Sequence, residues 1–225
     1  VYYIPAHGDD AARAQITLIY NHGNYAGLEH YLPRVRFLHE AGFNILTWDY
    51  RGYGKSQPAQ HPTTQQFLGD ARQVRELAQE YAPDPARVVI YGMSLGAIPS
   101  VEMALHQEPC AMLLEVPFTS MSQVARSNAG VDMPGGFLSQ GYFENTLKIE
   151  DYPGPLFVMH GTEDDAFPLE DVRELYEAAP GPKEFWVVDG ASHGMGVGVA
   201  ETATLAGYIE GIDAFLTAHA PGCLP

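Results

Sequence analysis

Residues 88–97 read Val-Val-Ile-Tyr-Gly-Met-Ser-Leu-Gly-Ala. Four β-branched or aromatic residues end in Gly92-Met93-Ser94-Leu95-Gly96, and an apolar helical pattern runs from Leu95 to Gln107. The five residues match G-x-S-x-G and stand between a strand and a helix, where a sharp turn strains the serine backbone and lifts its hydroxyl clear of the sheet. Glycine on either side lets neighbouring backbone pack against that turn, and the following helix aims its N-terminus at the hydroxyl.

Outward from this point the same alternation repeats. Short, nearly continuous apolar runs occur at Ile16–Tyr20, Phe43–Trp48, Val88–Tyr91, Met112–Val116, Leu156–Met159 and Phe185–Val188, as suits parallel strands buried on both faces. Helical patterns fill the gaps at Leu28–Glu40, Thr63–Tyr81, Leu95–Gln107, Leu169–Ala178 and Glu201–Ala218, with Pro83 and Pro85 stopping the second. The expectation is an α/β fold: one mostly parallel central sheet with helices on both faces, residues 1–225 forming a single domain. Only Pro117–Pro155, rich in Gly, Pro, Ser and Asn, breaks the alternation. It has room for a short helix near Thr119–Ser127 and one wall of a pocket, and none for a large lid domain.

Composition excludes several classes. The 225 residues are 46% hydrophobic and 18% charged, as in ordinary globular proteins. With 28 acidic residues against 12 basic ones the net charge is −16, which disfavours nucleic-acid and anionic-membrane partners. No stretch reaches the roughly 20 apolar residues of a membrane span. The chain begins at Val1 without a visible signal peptide, so a removed leader and a trimmed longer chain are equally good readings, as are secreted or periplasmic and cytoplasmic locations. Cys110 and Cys223, with no C-x-x-C pair, read first as two unrelated thiols; the alternative is a disulfide pinning the C-terminal tail.

A serine hydroxyl is a weak nucleophile until a base takes its proton, and that base needs an orienting carboxylate. Two later strands lead into such groups: Leu156–Met159 into His160-Gly161-Thr162-Glu163-Asp164-Asp165, and Phe185–Val188 into Asp189-Gly190-Ala191-Ser192-His193-Gly194. With His22-Gly23-Asn24 and Asp49-Tyr50-Arg51-Gly52-Tyr53-Gly54-Lys55-Ser56, these segments run in order along nearly the whole chain. In this the sequence resembles the α/β-hydrolase family, and in particular its compact members without a large lid.

The resemblance implies Ser94 as nucleophile, Asp164 as acid and His193 as base. Asp165 is the competitor for the acid, while Glu163 reads as a surface carboxylate and Glu115 as structural. The backbone N–H groups of Leu95 and Asn24 are the expected oxyanion donors, with Tyr25 next in line after Asn24. The expected activity is cleavage of a small-molecule carboxylic ester through an acyl-enzyme, with no cofactor and no metal. A thioesterase or peptidase using the same groups is the alternative, followed by a silent binding module of the same fold.

Among the other histidines, His22 and His160 stand at strand ends as loop-orienting groups. His7, His30, His39, His61, His106 and His219 read as surface or helix-face residues, with no metal-ligand spacing. Gly54-Lys55-Ser56 resembles the end of a phosphate loop, but position 49 is Asp where that loop needs Gly, and Pro58 interrupts the helix that would follow. Tyr25, Met93, Phe118, Phe167 and Met195 lie close in sequence to the candidate residues and suit a pocket wall as well as ordinary core. Relatives of the family usually carry extra antiparallel strands before the first parallel one; here only Val1–Pro5 stands in that place.

Overall fold

The computed structural model describes residues 1–7, 12–57, 60, 62–122, 143–194 and 196–225. Seven strands form one sheet: β1 (Tyr2–Ile4), β2 (Thr17–Asn21), β3 (Asn44–Thr47), β4 (Val88–Met93), β5 (Ala111–Glu115), β6 (Leu156–Gly161) and β7 (Lys183–Val188), in the spatial order β1-β3-β2-β4-β5-β6-β7. Every pairing is parallel except that of β1, which runs antiparallel to β3 with Tyr3 opposite Leu46. The five N-terminal residues therefore do supply an antiparallel edge strand, if a short one.

Successive residues of the inner strands alternate between two apolar layers. Ile19, Leu46, Ile90, Leu114 and Val158 face one layer, and Leu18, Ile45, Val89, Leu113 and Phe157 the other, as the period of two requires. Helices α2 (Thr64–Tyr81) and α3 (Ala97–His106), with α5 (Leu169–Ala178), cover the first layer. Helices α1 (Leu28–Glu40) and α7 (Leu205–His219) cover the second. Two short helices, α4 (Asn145–Lys148) and α6 (Val199–Thr202), complete the set among the described residues.

Local chemistry explains the boundaries. Thr63 caps α2 by accepting from the Gln66 N–H at 3.3 Å while the Gln66 side chain accepts from the Thr63 N–H at 2.9 Å. Ala82, held extended before Pro83, ends it. The helix expected at Leu95–Gln107 begins two residues later, because Ser94–Gly96 forms a 3₁₀ turn first. The helix expected at Glu201–Ala218 is two helices. Thr204 adopts a φ of 63° and its hydroxyl accepts from the Gly207 N–H at 3.3 Å, ending α6 and starting α7. The short helix anticipated near Thr119–Ser127 runs into residues outside the described set, as do Pro58, His61 and Met195.

Reading the cysteines as unrelated thiols is corrected: Cys110 and Cys223 form a disulfide, their Cα atoms 5.5 Å apart. Helix α7 returns the chain along the sheet and delivers Pro221–Cys223 beside the start of β5. There Arg87 also holds the Cys223 carbonyl at 3.2 Å. A contact between residues 113 apart leaves no local signature in sequence.

Beneath the sheet's α1 face lies a buried ionic cluster. Arg34 of α1 donates to Glu115 at the end of β5 at 2.6 Å, and both side chains are 1% exposed. The Tyr91 and Tyr208 hydroxyls also donate to this carboxylate. The second arm of Arg34 reaches both oxygens of Glu201 on α6 at 3.2 Å. A buried carboxylate is tolerable only when so compensated.

Two outcomes follow for stability. Reducing the disulfide, or replacing both cysteines by alanine, lowers the unfolding free energy by about 2–4 kcal/mol in urea titration, because a long loop of the unfolded chain is no longer closed. Glu115→Ala leaves the buried Arg34 charge with Glu201 alone and takes the shared carboxylate from the Tyr91 and Tyr208 hydroxyls, and costs about 3–5 kcal/mol by the same measurement.

Candidate active site

The C-terminal ends of β2, β4, β6 and β7 lie along one edge of the sheet, and each delivers one component of the site. At β4 the chain turns sharply, and Ser94 takes a φ of 53°, a left-handed conformation that costs a side-chain-bearing residue about 1–2 kcal/mol. The turn is possible because its flanks lack side chains. A Cβ on Gly92 would overlap the Ser100 hydroxyl, and one on Gly96 would overlap the Asn21 carbonyl of β2. The Ser94 carbonyl accepts from the Phe118 N–H at 3.0 Å, which ties the turn to the segment after β5.

The three residues expected to act together are adjacent. Ser94 Oγ lies 2.9 Å from His193 Nε2, and His193 Nδ1 lies 2.9 Å from Asp164 Oδ2. A carboxylate can only accept here, so Nδ1 carries the proton and Nε2 presents its lone pair to the serine O–H. The Asp164 side chain is fully buried and that of His193 is 24% exposed. Asp164 Oδ1 accepts the N–H groups of Ala166 and Phe167, both at 2.9 Å. Burial by itself would raise the Asp164 pKa, but the bond and charge of His193, the nearby His160 and the Phe167 N–H outweigh it and hold the carboxyl below its ordinary value.

The competing carboxylates lie elsewhere. Asp165 and Glu163 are exposed, and Glu115 is engaged by Arg34. Phe167 packs its ring edge-on to His193 with centroids 5.1 Å apart, and Phe118 backs it at 5.8 Å. Met93 is 3% exposed and accepts from the Tyr20 hydroxyl at 3.7 Å, so it is core rather than pocket wall. Tyr25 is 69% exposed.

The loop after β2 carries the expected second oxyanion donor. An added Cβ on Gly23 would overlap the Tyr31 hydroxyl and stand in ordinary contact, 3.4 Å, with the Ser94 Cβ. The His22 ring stacks on Tyr50 with centroids 3.9 Å apart, and its Nδ1–H donates to the Gly23 carbonyl at 2.7 Å. Burial lowers the His22 pKa to about 4, so the ring is neutral at ordinary pH and acts as a loop support. The Tyr25 N–H, second choice as donor, is spent on the Tyr31 hydroxyl at 3.1 Å. Asp49, in the loop just past β3, accepts from the N–H of Leu28 at 2.6 Å and of Lys55 at 3.1 Å, joining the start of α1 to this loop.

Three tyrosines escaped the sequence reading as parts of the site. Tyr50 donates to the His22 carbonyl at 2.5 Å and Tyr53 to the Asn24 side chain at 2.6 Å, while Tyr31 supports Tyr25. Tyr50 and Tyr53 lie inside a quoted motif, whose spacing was the available signal. Tyr31 lies on a helix face with no motif, and only tertiary contact reveals it.

Among the described residues no group of three His, Cys, Asp or Glu side chains is arranged to hold a metal ion. Nor is any helix among them long and apolar enough to cross a membrane.

Comparison with known proteins agrees with this architecture. Residues 12–133 match the family described as Serine aminopeptidase, S33. The human Alpha/beta hydrolase domain-containing protein 17B is 32% identical over 182 residues, covering 80% of this chain and 61% of that protein. An uncharacterized protein of Mycobacterium tuberculosis is 35% identical over 157 residues, or 69% of this chain and 55% of its own length. The chain thus spans less than two thirds of these relatives. Among solved structures, the Pyrococcus furiosus esterase Pf2001 superposes with a TM-score of 0.72 at 22% identity, covering 90% of this chain and 81% of that one. Est1E of Butyrivibrio proteoclasticus, with ferulic acid bound, gives 0.74 at 16% identity over 97% and 94%. The chain belongs to the α/β hydrolases, within the family described as Serine aminopeptidase, S33.

Proposed function

We propose that the chain is a serine hydrolase that cleaves carboxylic esters of small or medium acyl groups, with Ser94 as nucleophile, His193 as base and Asp164 as acid. The observation that carries this reading is the unbroken chain of two 2.9 Å contacts from Ser94 Oγ through the imidazole of His193 to Asp164.

The chemistry follows from the tautomer. Ser94 Oγ attacks the carbonyl carbon as its proton passes to His193 Nε2. The N–H groups of Leu95 and Asn24 receive the negative charge that develops on the carbonyl oxygen; each such donor is worth about a hundred- to a thousand-fold in turnover. Asp164 stays ionised and stabilises the imidazolium. The proton then goes to the leaving alkoxide as the C–O bond breaks, leaving an acyl group on Ser94. A water deprotonated by His193 releases the acid by the reverse sequence. The left-handed backbone at Ser94 is consistent with strain stored at a reacting group.

Esterases among the structural neighbours share this fold and support the ester preference; the lack of a large lid among the described residues supports the small or medium acyl group. The family's description as an aminopeptidase favours a second reading, amide cleavage by the same groups. Turnover of matched ester, thioester and amide substrates separates them: an amide turned over faster than its ester reverses the preference.

Ser94→Ala abolishes hydrolysis and labelling by a fluorophosphonate probe with the fold intact by circular dichroism; retained turnover means another nucleophile. Asp164→Asn lowers kcat by roughly ten-thousand-fold if the acid fixes the tautomer, and a mild loss there with a severe one at Asp165 moves the role to Asp165. Asp164 also leaves a mark on stability. Its folded pKa is depressed, so its contribution is fully present above the unfolded value of about 3.9 and is lost as pH falls through the lower folded value. The stability gap between the native protein and Asp164→Asn is therefore flat at neutral pH and narrows only in acid, as urea titrations across pH check.

A further inference from the structure

Asp164 has a second histidine beside it. His160 stands in β6, fully buried, four residues before the acid. Its Nε2 lies 3.0 Å from the Phe167 carbonyl oxygen, and its Nδ1 lies 3.7 Å from Asp164 Oδ2, the oxygen that also receives His193. A carbonyl oxygen cannot donate, so the proton of neutral His160 must sit on Nε2. Its Nδ1 then offers only a lone pair, and that buried nitrogen has no hydrogen-bond partner among the described residues. An unpartnered buried polar atom facing an acid demands a reason.

Phe167 supplies the connection. Its N–H donates to Asp164 Oδ1, its carbonyl accepts from His160, and its ring rests against His193. One residue thereby touches the acid, the buried histidine and the candidate base. Burial disfavours the charged form of His160, which keeps the single-proton state in place against the attraction of Asp164.

Resting on the triad reading above, we propose that His160 is a positioning residue. By committing its one proton to the Phe167 carbonyl it fixes the Asp164–Phe167 turn, and by presenting a lone pair to Oδ2 it leaves His193 as the donor to that oxygen. A donor at that nitrogen would compete with His193 for Oδ2, weaken the bond that orients the base and let its ring drift from Ser94. The reacting geometry tolerates little such drift.

Nitrogen-15 NMR of the native protein tests the premise without any variant. His160 must report a protonated Nε2 and a bare Nδ1; a protonated Nδ1 overturns the proposal. Two substitutions test the consequence. The amide of His160→Gln reaches the Nε2 position, keeps the bond to the Phe167 carbonyl and places no donor at Nδ1, so it retains most of kcat. The amide of His160→Asn falls at the Nδ1 position, loses Phe167 and adds a competing donor. It lowers kcat by about 100-fold with KM unchanged, and the low-field proton signal of His193 Nδ1 moves upfield. Equal losses in the two variants, unaltered kcat in His160→Asn, or a loss confined to KM overturns the assignment. If His160→Asn does not fold, the native tautomer and the kcat of His160→Gln still decide. Fluorophosphonate labelling of Ser94 in the native protein keeps the two readings apart: no labelling there sinks the triad, whereas normal labelling with indifferent variants sinks only the role of His160.

Discussion

A serine held at a φ of 53° is the constraint on which the rest of this molecule depends. That backbone is unfavourable for any residue with a Cβ, so it persists only where its surroundings leave no alternative. Here β4 delivers the residue from the middle of the sheet and α3 carries the chain away, while Gly92 and Gly96 allow Ser100 and the Asn21 carbonyl to close in. The parallel register beside β2 sets how near that carbonyl comes. Fold and site are therefore one problem, since the packing that buries β4 on both faces also holds the turn.

Supports of two kinds surround that turn. On the acid side the order is carboxylate, backbone amides and a buried histidine, with Phe167 joining them. Around the loop after β2 it is aromatic: His22 stacked on Tyr50, with the hydroxyls of Tyr31, Tyr50 and Tyr53 each bonded to that loop. Beneath both runs the Arg34 cluster, which joins α1, the helix after the β2 loop, to α6, the helix after the His193 loop. Charged groups are costly to bury, so a bridge of this kind brings geometry more surely than stability.

Legibility from sequence tracked the range of the interactions involved. Helices α1 and α5 stand where their apolar spacing placed them, and the inner strands differ by a residue or two at their ends, because burial on both faces writes a short apolar run directly into the chain. The split between α6 and α7 was missed: Ala-Thr-Leu carries no glycine or proline, and the break depends on a left-handed Thr204 whose cap competes with helix continuation. The disulfide ranked behind two unrelated thiols for a related reason, since two cysteines far apart in sequence say nothing of distance until a sheet and a returning helix bring them together.

What the sequence determined by itself was the order of parts: strand, turn and helix around Ser94, an acidic loop after the run Leu156–Met159 and a histidine loop after the run Phe185–Val188. Those follow from local rules of period, propensity and turn geometry, which act over a few residues. Which carboxylate faces His193, which hydroxyls brace the loop after β2 and which groups surround His160 were decided only in three dimensions. Asp164 and Asp165 are neighbours of the same chemistry, and burial beside the Ala166 and Phe167 amides distinguishes the first from its exposed neighbour. That selection depends on where distant strands end relative to one another, a property of the packed sheet that no short stretch of chain contains.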